Sequence, residues 1–182
     1  VRHGVAKGGS TLYPAMPYPS YAIMPDADVQ ALYAYFMSQV EPDSKPSADS
    51  TIPWPLNMRW PMAWWQALFA AKRQFAAPTG ADEMLTRGAY LVEGPGHCGA
   101  CHTPRGLAYQ EKALSMADGD AFLSGAVIDG WRAKSLRGEA QGLQSWSAEE
   151  IVMFLKTGRT DRVAAFGAMA DVVEHSTRHF SD

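Results

Sequence analysis

The stretch Gly94-Pro95-Gly96-His97-Cys98-Gly99-Ala100-Cys101-His102 decides the fold expected for this chain. Cys98, Cys101 and His102 form the C-x-x-C-H pattern of covalent haem c attachment. Two thiols three positions apart on one helical turn can reach the two vinyl groups of one porphyrin, and the next residue then points at the iron. The pattern predicts one haem c in this chain, with His102 as its proximal ligand.

Other uses of a C-x-x-C pair find less support in the sequence. Cys98 and Cys101 are the only two cysteines, which excludes a disulfide framework. A thioredoxin-like site needs a βαβ context, and a zinc site needs two more ligands at close spacing. The sequence shows neither.

The sixth ligand of the iron is sought among Met153, Met169, His175 and His179. Met153 lies within a predicted helix, and its alternative role is packing in the core. Both histidines are expected either at the surface or in contact with the iron ligands without binding the iron. Met169 ends the small-residue passage 165–169, which is predicted to be a loop folding over the open haem face. The sequence favours Met169, whose thioether would raise the reduction potential.

Composition limits the class of protein. The chain has 182 residues, of which 47% are hydrophobic and 19% charged, as in a folded globular protein. Its net charge of -3 argues against a nucleic-acid partner. The longest charge-free apolar stretch, 60–71, is shorter than the roughly 20 residues of a spanning helix. The N-terminus lacks a signal-peptide pattern, so we expect the sequence to begin within a longer protein.

Apolar periodicity and capping residues predict helices and no strand. The stripe of Val29, Leu32, Tyr33, Phe36 and Val40 indicates a helix that must bury one face. We expect an all-α fold with long loops. Helices are predicted at 26–40, with Asp26 as N-cap, and at 61–75. Two more are predicted at 81–93, where Thr79 and Asp82 are capping signals, and at 148–157, where Ser147 and Glu150 form a capping box, and a further helix should start at 181–182.

The segment between the first and third of these helices is rich in proline and tryptophan. Five prolines between 42 and 61 indicate a linker. Trp54, Trp60, Trp64 and Trp65 either pack this linker onto a neighbouring domain or form a docking surface for a partner subunit or a membrane interface.

Two passages of the chain share one plan. Gly4 is followed by Met16 and then by the helix at 26–40, and Gly158 is followed by Met169 and then by the helix expected at 181. The glycine-to-methionine spacings are twelve and eleven residues. An internal repeat predicts tandem units, with segment 1–40 as the C-terminal part of a first unit, 41–78 as a linker, and 79–182 as a second unit without its last helix.

The chain resembles the cytochrome c subunits of bacterial membrane-bound dehydrogenases, along nearly its whole length and as a sequence truncated at both ends. These are the multihaem partners of quinoprotein alcohol dehydrogenases and of gluconate- and sorbitol-type dehydrogenases. The resemblance rests on 2–5, 12–18, 31–36, 58–61, 87–92, 98–106, 154–159 and 172–177.

This resemblance implies class I cytochrome c-like helices around a haem, and three haem c groups in the intact protein. It implies an electron-transfer subunit, not an enzyme, which relays electrons from a quinoprotein, flavoprotein or molybdoprotein partner to ubiquinone and the respiratory chain. The location implied is the periplasm, peripheral to the inner membrane and in reach of its surface. By position, Met16 would be the axial ligand of the first haem, Met169 that of the second, and Trp131 would lie near the second haem. The alternative function is a haem-based sensor or enzyme whose methionine ligand is labile.

Overall fold

The computed structural model describes residues 1–70, 72–128 and 130–181. By contact, the chain divides into two compact units. Unit 1 comprises Val1–Ala100 and Arg105–Phe122, and unit 2 comprises Cys101–Pro104 and Leu123–Asp182. This division differs from the three segments expected from the sequence, 1–40, 41–78 and 79–182. Those segments were inferred from the repeat and from the resemblance, and they stay a prediction.

Short helices make up most of the regular structure. In chain order they are α1 (Tyr18–Tyr21), α2 (Asp26–Gln39), α3 (Trp60–Phe69), α4 (Glu83–Glu93), α5 (Gly99–His102), α6 (Ala148–Thr157) and α7 (Ala168–His175). Two 3₁₀ turns, Met116–Asp118 and Thr177–His179, and two short strands, β1 (Ala126–Ile128) and β2 (Trp131–Ala133), complete the structure.

The four helices predicted from the sequence are present, but α3 ends at Phe69 and not at residue 75 as expected. Helix α4 begins after Asp82, whose carboxylate accepts the Leu85 N–H at 2.8 Å, and α6 begins with the predicted capping box of Ser147 and Glu150. Helix α2 differs at its start, because Pro25 is the N-cap and Asp26 is already helical. The helix expected at 181–182 involves Asp182, which lies outside the described residues.

The core of unit 1 forms where residues near its N-terminus meet α3. Tyr18 is buried, and its ring lies so close to Gly4 that a Cβ there would be 2.7 Å from the ring. The indole of Trp65 packs edge-on to Tyr18 and donates to the carbonyl of Ala108 at 2.7 Å. Trp65 therefore ties the linker helix to its own unit.

Helix α2 does not bury the apolar stripe that predicted it. None of its residues is buried, and Leu32, Tyr33 and Phe36 are exposed. One contact with α4 is a 2.5 Å hydrogen bond from the Tyr90 hydroxyl to Asp28. The expectation that this stripe packs against a neighbouring element is wrong for the structure of this chain.

Unit 2 contains an element that the sequence analysis did not predict. Strands β1 and β2 form an antiparallel hairpin, with Ala126 opposite Ala133 and Ile128 opposite Trp131. Each strand has three residues, which is too short for an alternating pattern to be visible in the sequence. The fold is therefore mainly helical with a small hairpin, and the prediction of no strand is wrong at this point.

The other part of unit 2 is a helical cluster in which α6 contacts α7 and the 3₁₀ turn that follows α7. Helix α6 ends at Gly158, which adopts a left-handed conformation (φ 75°) and lies next to the buried Val173 of α7. The Thr177 hydroxyl donates to the carbonyl of Leu155 at 2.6 Å. Among the described residues, no helix has the length and apolar character needed to cross a membrane.

Candidate haem-binding site

The attachment motif lies at the single helical turn α5, which Cys98 immediately precedes. Cys98 is half-buried and Cys101 is exposed, and both are thiols and not partners in a disulfide. The turn is approached through Gly96, where a Cβ would lie 2.6 Å from the Leu91 carbonyl oxygen and 3.6 Å from the Cys98 sulfur. Glycine is therefore needed at this position to bring the chain into the motif.

His102 is oriented by a hydrogen bond suited to a metal ligand. Its Nδ1 lies 2.6 Å from the carbonyl oxygen of Lys134, just after β2. A carbonyl can only accept, so Nδ1 carries the proton and Nε2 keeps its lone pair for a metal. Burial lowers the pKa of His102, while the bond to Lys134 opposes that shift. Both the tautomer and the neutral state fit an axial haem ligand.

The segment just before the hairpin also forms hydrogen bonds with His102 and with the next residue, Thr103. The Gly125 N–H donates to the His102 carbonyl at 2.7 Å. The Leu123 N–H donates to the hydroxyl of Thr103, which is fully buried, at 3.0 Å. Together with Lys134, these residues fix the ring and backbone of His102 from one side.

Gly125 is the residue that lets this loop close. Its φ is 90°, and a Cβ there would lie 3.0 Å from the Ser135 nitrogen and 3.1 Å from the Ala133 carbonyl oxygen. Any side chain would therefore combine an unfavourable backbone conformation with a backbone clash. Gly125, Thr103 and Lys134 belong to no motif that is visible in the sequence. Gly125 and Gly130 are visible in the sequence as signs of a loop, but the contact of this loop with His102 is not.

Met169 lies in a helix and not in the loop that was predicted. Helix α7 begins one residue earlier, at Ala168, with Gly167 as its N-cap. The loop prediction is wrong because Ala165, Gly167 and Ala168 gave no helical periodicity. Met169 is half-buried in its unit.

Trp131 lies beside the start of this helix. Its ring meets that of Phe166 at 5.4 Å between centroids, and Gly167 lies against its indole, with a Cβ there 3.6 Å from the ring. The tryptophan is 58% exposed. The structure thus brings Trp131 next to the helix that carries Met169, and β2 links Trp131 to the loop that holds His102.

The other candidate ligands are placed differently. Met153 is 47% exposed on α6, and the packing role considered for it is not observed. His175 is exposed, and the His179 ring contacts the Glu174 carbonyl at 3.1 Å. Within the described ranges, no three His, Cys, Asp or Glu side chains form a group able to hold a metal ion, so a zinc site gains no support.

The two repeat passages have the same local geometry. Gly4 and Gly158 both have positive φ, of 58° and 75°. The carbonyl of each accepts a backbone hydrogen bond from a residue just ahead of the methionine, from Leu12 at 2.7 Å and from Ala165 at 2.6 Å. A short antiparallel bridge follows each glycine. The repeat seen in sequence is thus also a repeat of backbone conformation.

Comparison with known proteins finds relatives that match the chain along its full length. It is 58% identical over its full length to the gluconate 2-dehydrogenase cytochrome c subunit of Pantoea cypripedii, and covers 42% of that protein. It is 56% identical over its full length to the cytochrome c subunit of the alcohol dehydrogenase (quinone) of Gluconacetobacter polyoxogenes, and covers 40% of it. The chain is homologous to part of these cytochrome c subunits.

This homology confirms the predicted resemblance and the cytochrome character of the chain. A diheme cytochrome c-type protein of Cereibacter sphaeroides is 34% identical over 98% of this chain, which covers 57% of that protein. The chain spans about two fifths of the gluconate and alcohol dehydrogenase subunits that it matches. No family model matches the sequence.

Proposed function

We propose that this chain binds one haem c through Cys98 and Cys101 and transfers electrons through it. His102 is the proximal ligand, and Met169 is the distal ligand. The observation that supports this most strongly is the hydrogen bond from His102 Nδ1 to the Lys134 carbonyl, because it leaves Nε2 in the form that binds iron. Haem c supplies one-electron redox chemistry when bound.

The protein's own part is to hold ligands and exclude water. The loop with Gly125 and Lys134 fixes the orientation of His102, so the ligand does not have to reorganise when the charge of the site changes. Trp131 and Phe166 pack at the start of α7 and hold the segment that presents Met169. Two protein ligands would leave no position for a substrate, which favours electron transfer over catalysis.

We infer the function of the intact protein from its relatives. Because those relatives are cytochrome c subunits of dehydrogenases, we infer that the chain accepts electrons from a dehydrogenase catalytic subunit. The route continues towards ubiquinone, and the location is the periplasm, peripheral to the inner membrane. The repeated backbone geometry supports tandem units, with Met16 as axial ligand of a first haem and three haems in the intact protein.

The test is to produce the chain with a c-type haem maturation system and to measure haem content by the pyridine haemochrome spectrum. We expect one haem per chain, retained after acidic acetone extraction because it is covalent. A Cys98→Ser/Cys101→Ser variant should release its haem into the acetone, and the matched Ser135→Ala variant, which leaves the motif intact, should retain it. A chain without haem, or with haem that acetone removes, contradicts the proposal.

A second measurement separates electron transfer from small-ligand binding. The reduced protein is exposed to carbon monoxide, and its spectrum is recorded. A six-coordinate electron carrier should show no spectral change and a reversible one-electron titration. Carbon monoxide binding to the unmodified chain would favour the sensor or enzyme with a labile methionine.

A further inference from the structure

Arg105 links the attachment motif to the loop that follows it. Its guanidinium donates one hydrogen bond to the carbonyl of Ala100, which lies between the two cysteines of the motif. It donates a second hydrogen bond to the carbonyl of Tyr109 at 2.8 Å. The same side chain is therefore fixed at two points, and one of these is the peptide that joins the attachment positions.

The loop that receives the second bond is closed by its own hydrogen bonds. The Gly106 N–H donates to the Gln110 carbonyl at 2.8 Å, and the Tyr109 N–H donates to the Gly106 carbonyl at 3.0 Å. The Gln110 side chain occupies the space that a Cβ on Gly106 would fill. Trp65 of α3 donates to the Ala108 carbonyl at 2.7 Å. The loop is therefore a firm support, which holds the attached guanidinium close to the motif.

The charge of Arg105 has neutral hydrogen-bond partners. Both of its acceptors are backbone carbonyls, which accept the N–H groups without cancelling the positive charge. The residue is half-buried, so water screens its charge less than that of an exposed cation. The guanidinium is therefore a positive charge in a defined position.

Acidic side chains are scarce in the sequence around this charge. Residues 94–110 contain no aspartate or glutamate, and Arg105 is the one lysine or arginine among them. Glu111 is the next acid along the chain, and its backbone pairs with that of Arg105 in a short antiparallel bridge. Burial raises the pKa of Glu111 to about 7, so its carboxyl group is mostly protonated at pH 6. Glu111 therefore does not offset the charge of Arg105 at that pH.

We propose that Arg105 raises the reduction potential of the haem by holding one positive charge against the peptide between Cys98 and Cys101. The inference rests on the proposed function, because it requires haem attachment at these two cysteines. Reduction adds one electron, and a fixed positive charge nearby stabilises the form that carries it. A unit charge about 10 Å from a redox centre shifts the reduction equilibrium by about tenfold at an effective dielectric constant of about 20. For a one-electron couple, a tenfold shift is about 59 mV.

Lys112 provides an internal comparison. It lies seven residues after Arg105 and carries the same charge, but it is exposed. Water and salt screen an exposed cation, so removal of Lys112 should change the reduction potential little. The two residues therefore separate the effect of a fixed, half-buried charge from the effect of a change in net charge.

The experiment measures the reduction potential of the full, haem-loaded chain by spectroelectrochemical titration at pH 6. Arg105→Gln should shift the reduction equilibrium towards the oxidised form by about tenfold, which is about 59 mV. A second neutral variant, Arg105→Leu, should behave in the same way. Arg105→Lys keeps the charge but lacks the rigid fork of donors, so it should stay within about threefold of the parent. Lys112→Gln should stay within about twofold.

Hydrogen exchange tests the fixed position of Arg105 without reference to the haem. Arg105→Gln should speed exchange of the Gly106 and Tyr109 amides by about tenfold, because the loop loses the donor that holds the Tyr109 carbonyl. Lys112→Gln should leave both exchange rates unchanged. If exchange is also unchanged in Arg105→Gln, the guanidinium does not hold the loop and the proposal is overturned.

Three results for the potential would also overturn the proposal. They are an unchanged potential in both neutral variants, an equal decrease in Lys112→Gln, and a decrease in Arg105→Lys as large as that in Arg105→Gln. Carbon monoxide binding by Arg105→Gln would do so as well, because the lower potential would then reflect loss of the distal ligand. Failure of the proposed function has a different signature, which is the absence of covalent haem from the parent chain.

Discussion

The imidazole Nδ1 of His102 lies 2.6 Å from the carbonyl oxygen of Lys134, which is 32 residues later in the sequence. The same loop forms a second hydrogen bond, which the Gly125 N–H donates to the His102 carbonyl. Ring and backbone of the proposed proximal ligand are therefore held by one structural element. Orientation of this kind is what a metal-binding histidine requires, since the partner of one ring nitrogen sets the state of the other.

Gly125→Ala should loosen this element. The new methyl group would meet the backbone of Ser135 and Ala133, so we expect the free energy of unfolding to fall by about 1–3 kcal/mol. Gly130→Ala is the matched control, because Gly130 also has positive φ but open space around its Cβ. Denaturant titration of both variants measures the difference. Equal losses would show that the close approach at Gly125 is unimportant.

Met169→Ala should lower the reduction potential of the haem-loaded chain and open the iron to carbon monoxide. A thioether ligand favours the reduced state, and axial ligands together span roughly 0.8 V, so we expect a decrease of about 0.1 V or more. Met153→Ala is the control and should leave potential and carbon monoxide binding unchanged. If the two variants exchange these behaviours, Met153 and not Met169 is the distal ligand.

Glu111→Gln should make the chain more stable at alkaline pH. Burial raises the pKa of Glu111 to about 7, against the opposing effect of Arg105 and Arg73. The unfolded chain therefore releases this proton at lower pH than the folded chain, and stability falls as pH rises from about 4.5 to 7. At pH 8 the variant should be more stable by about 1–3 kcal/mol, and near pH 4 the two should be equal.

Urea titrations of parent and Glu111→Gln protein across that range provide the measurement. The parallel variant Glu150→Gln should act in the opposite direction at neutral pH. The Ser147 backbone N–H and then Arg162 lower the pKa of Glu150, so its charged form stabilises the fold. A pH profile of stability that is the same with and without Glu111 would contradict the prediction.

Ser147→Ala should destabilise the chain through the start of α6. The hydroxyl accepts the Glu150 N–H at 3.2 Å, and the Glu150 carboxylate accepts the Ser147 N–H at 2.9 Å. Loss of such a cap costs about 1 kcal/mol. Ser47→Ala, an exposed serine outside any helix, should cost close to nothing. Thermal unfolding of the two variants distinguishes a cap from a general effect of removing a hydroxyl.

Helix positions were predictable where local chemistry sets them. Asp82 before α4 and Ser147 with Glu150 at α6 are caps that act within a few residues, so they can be identified without knowledge of the fold. The hairpin was missed because three-residue strands carry no periodic pattern. Helix α7 was missed because the glycine and alanines around its start indicate a loop as readily as a helix.

The attachment motif is visible in the sequence, whereas the residues that support it are not. Cys98, Cys101 and His102 lie close together along the chain, so the motif can be identified without the fold, and the haem attachment that it indicates stays a prediction. Gly125, Thr103 and Lys134 carry no motif, and their roles exist only once the chain brings residue 134 back to residue 102. The assignment of Met169 came from its place in a predicted loop, which is the start of a helix in the structure, and it remains a prediction.

By itself, the sequence determined the C-x-x-C-H motif, the resemblance to dehydrogenase cytochrome c subunits and the positions of most helices, because these depend on residues close together along the chain. Only the tertiary structure decided that the stripe of α2 stays exposed, that Trp65 is fixed while Trp60 and Trp64 face outward, and that a backbone carbonyl orients His102. The physical reason is that amphipathic periodicity shows which faces are apolar but not what covers them. Whether an apolar face is buried depends on contacts between residues that are distant in sequence, and the local pattern does not show which of these contacts form.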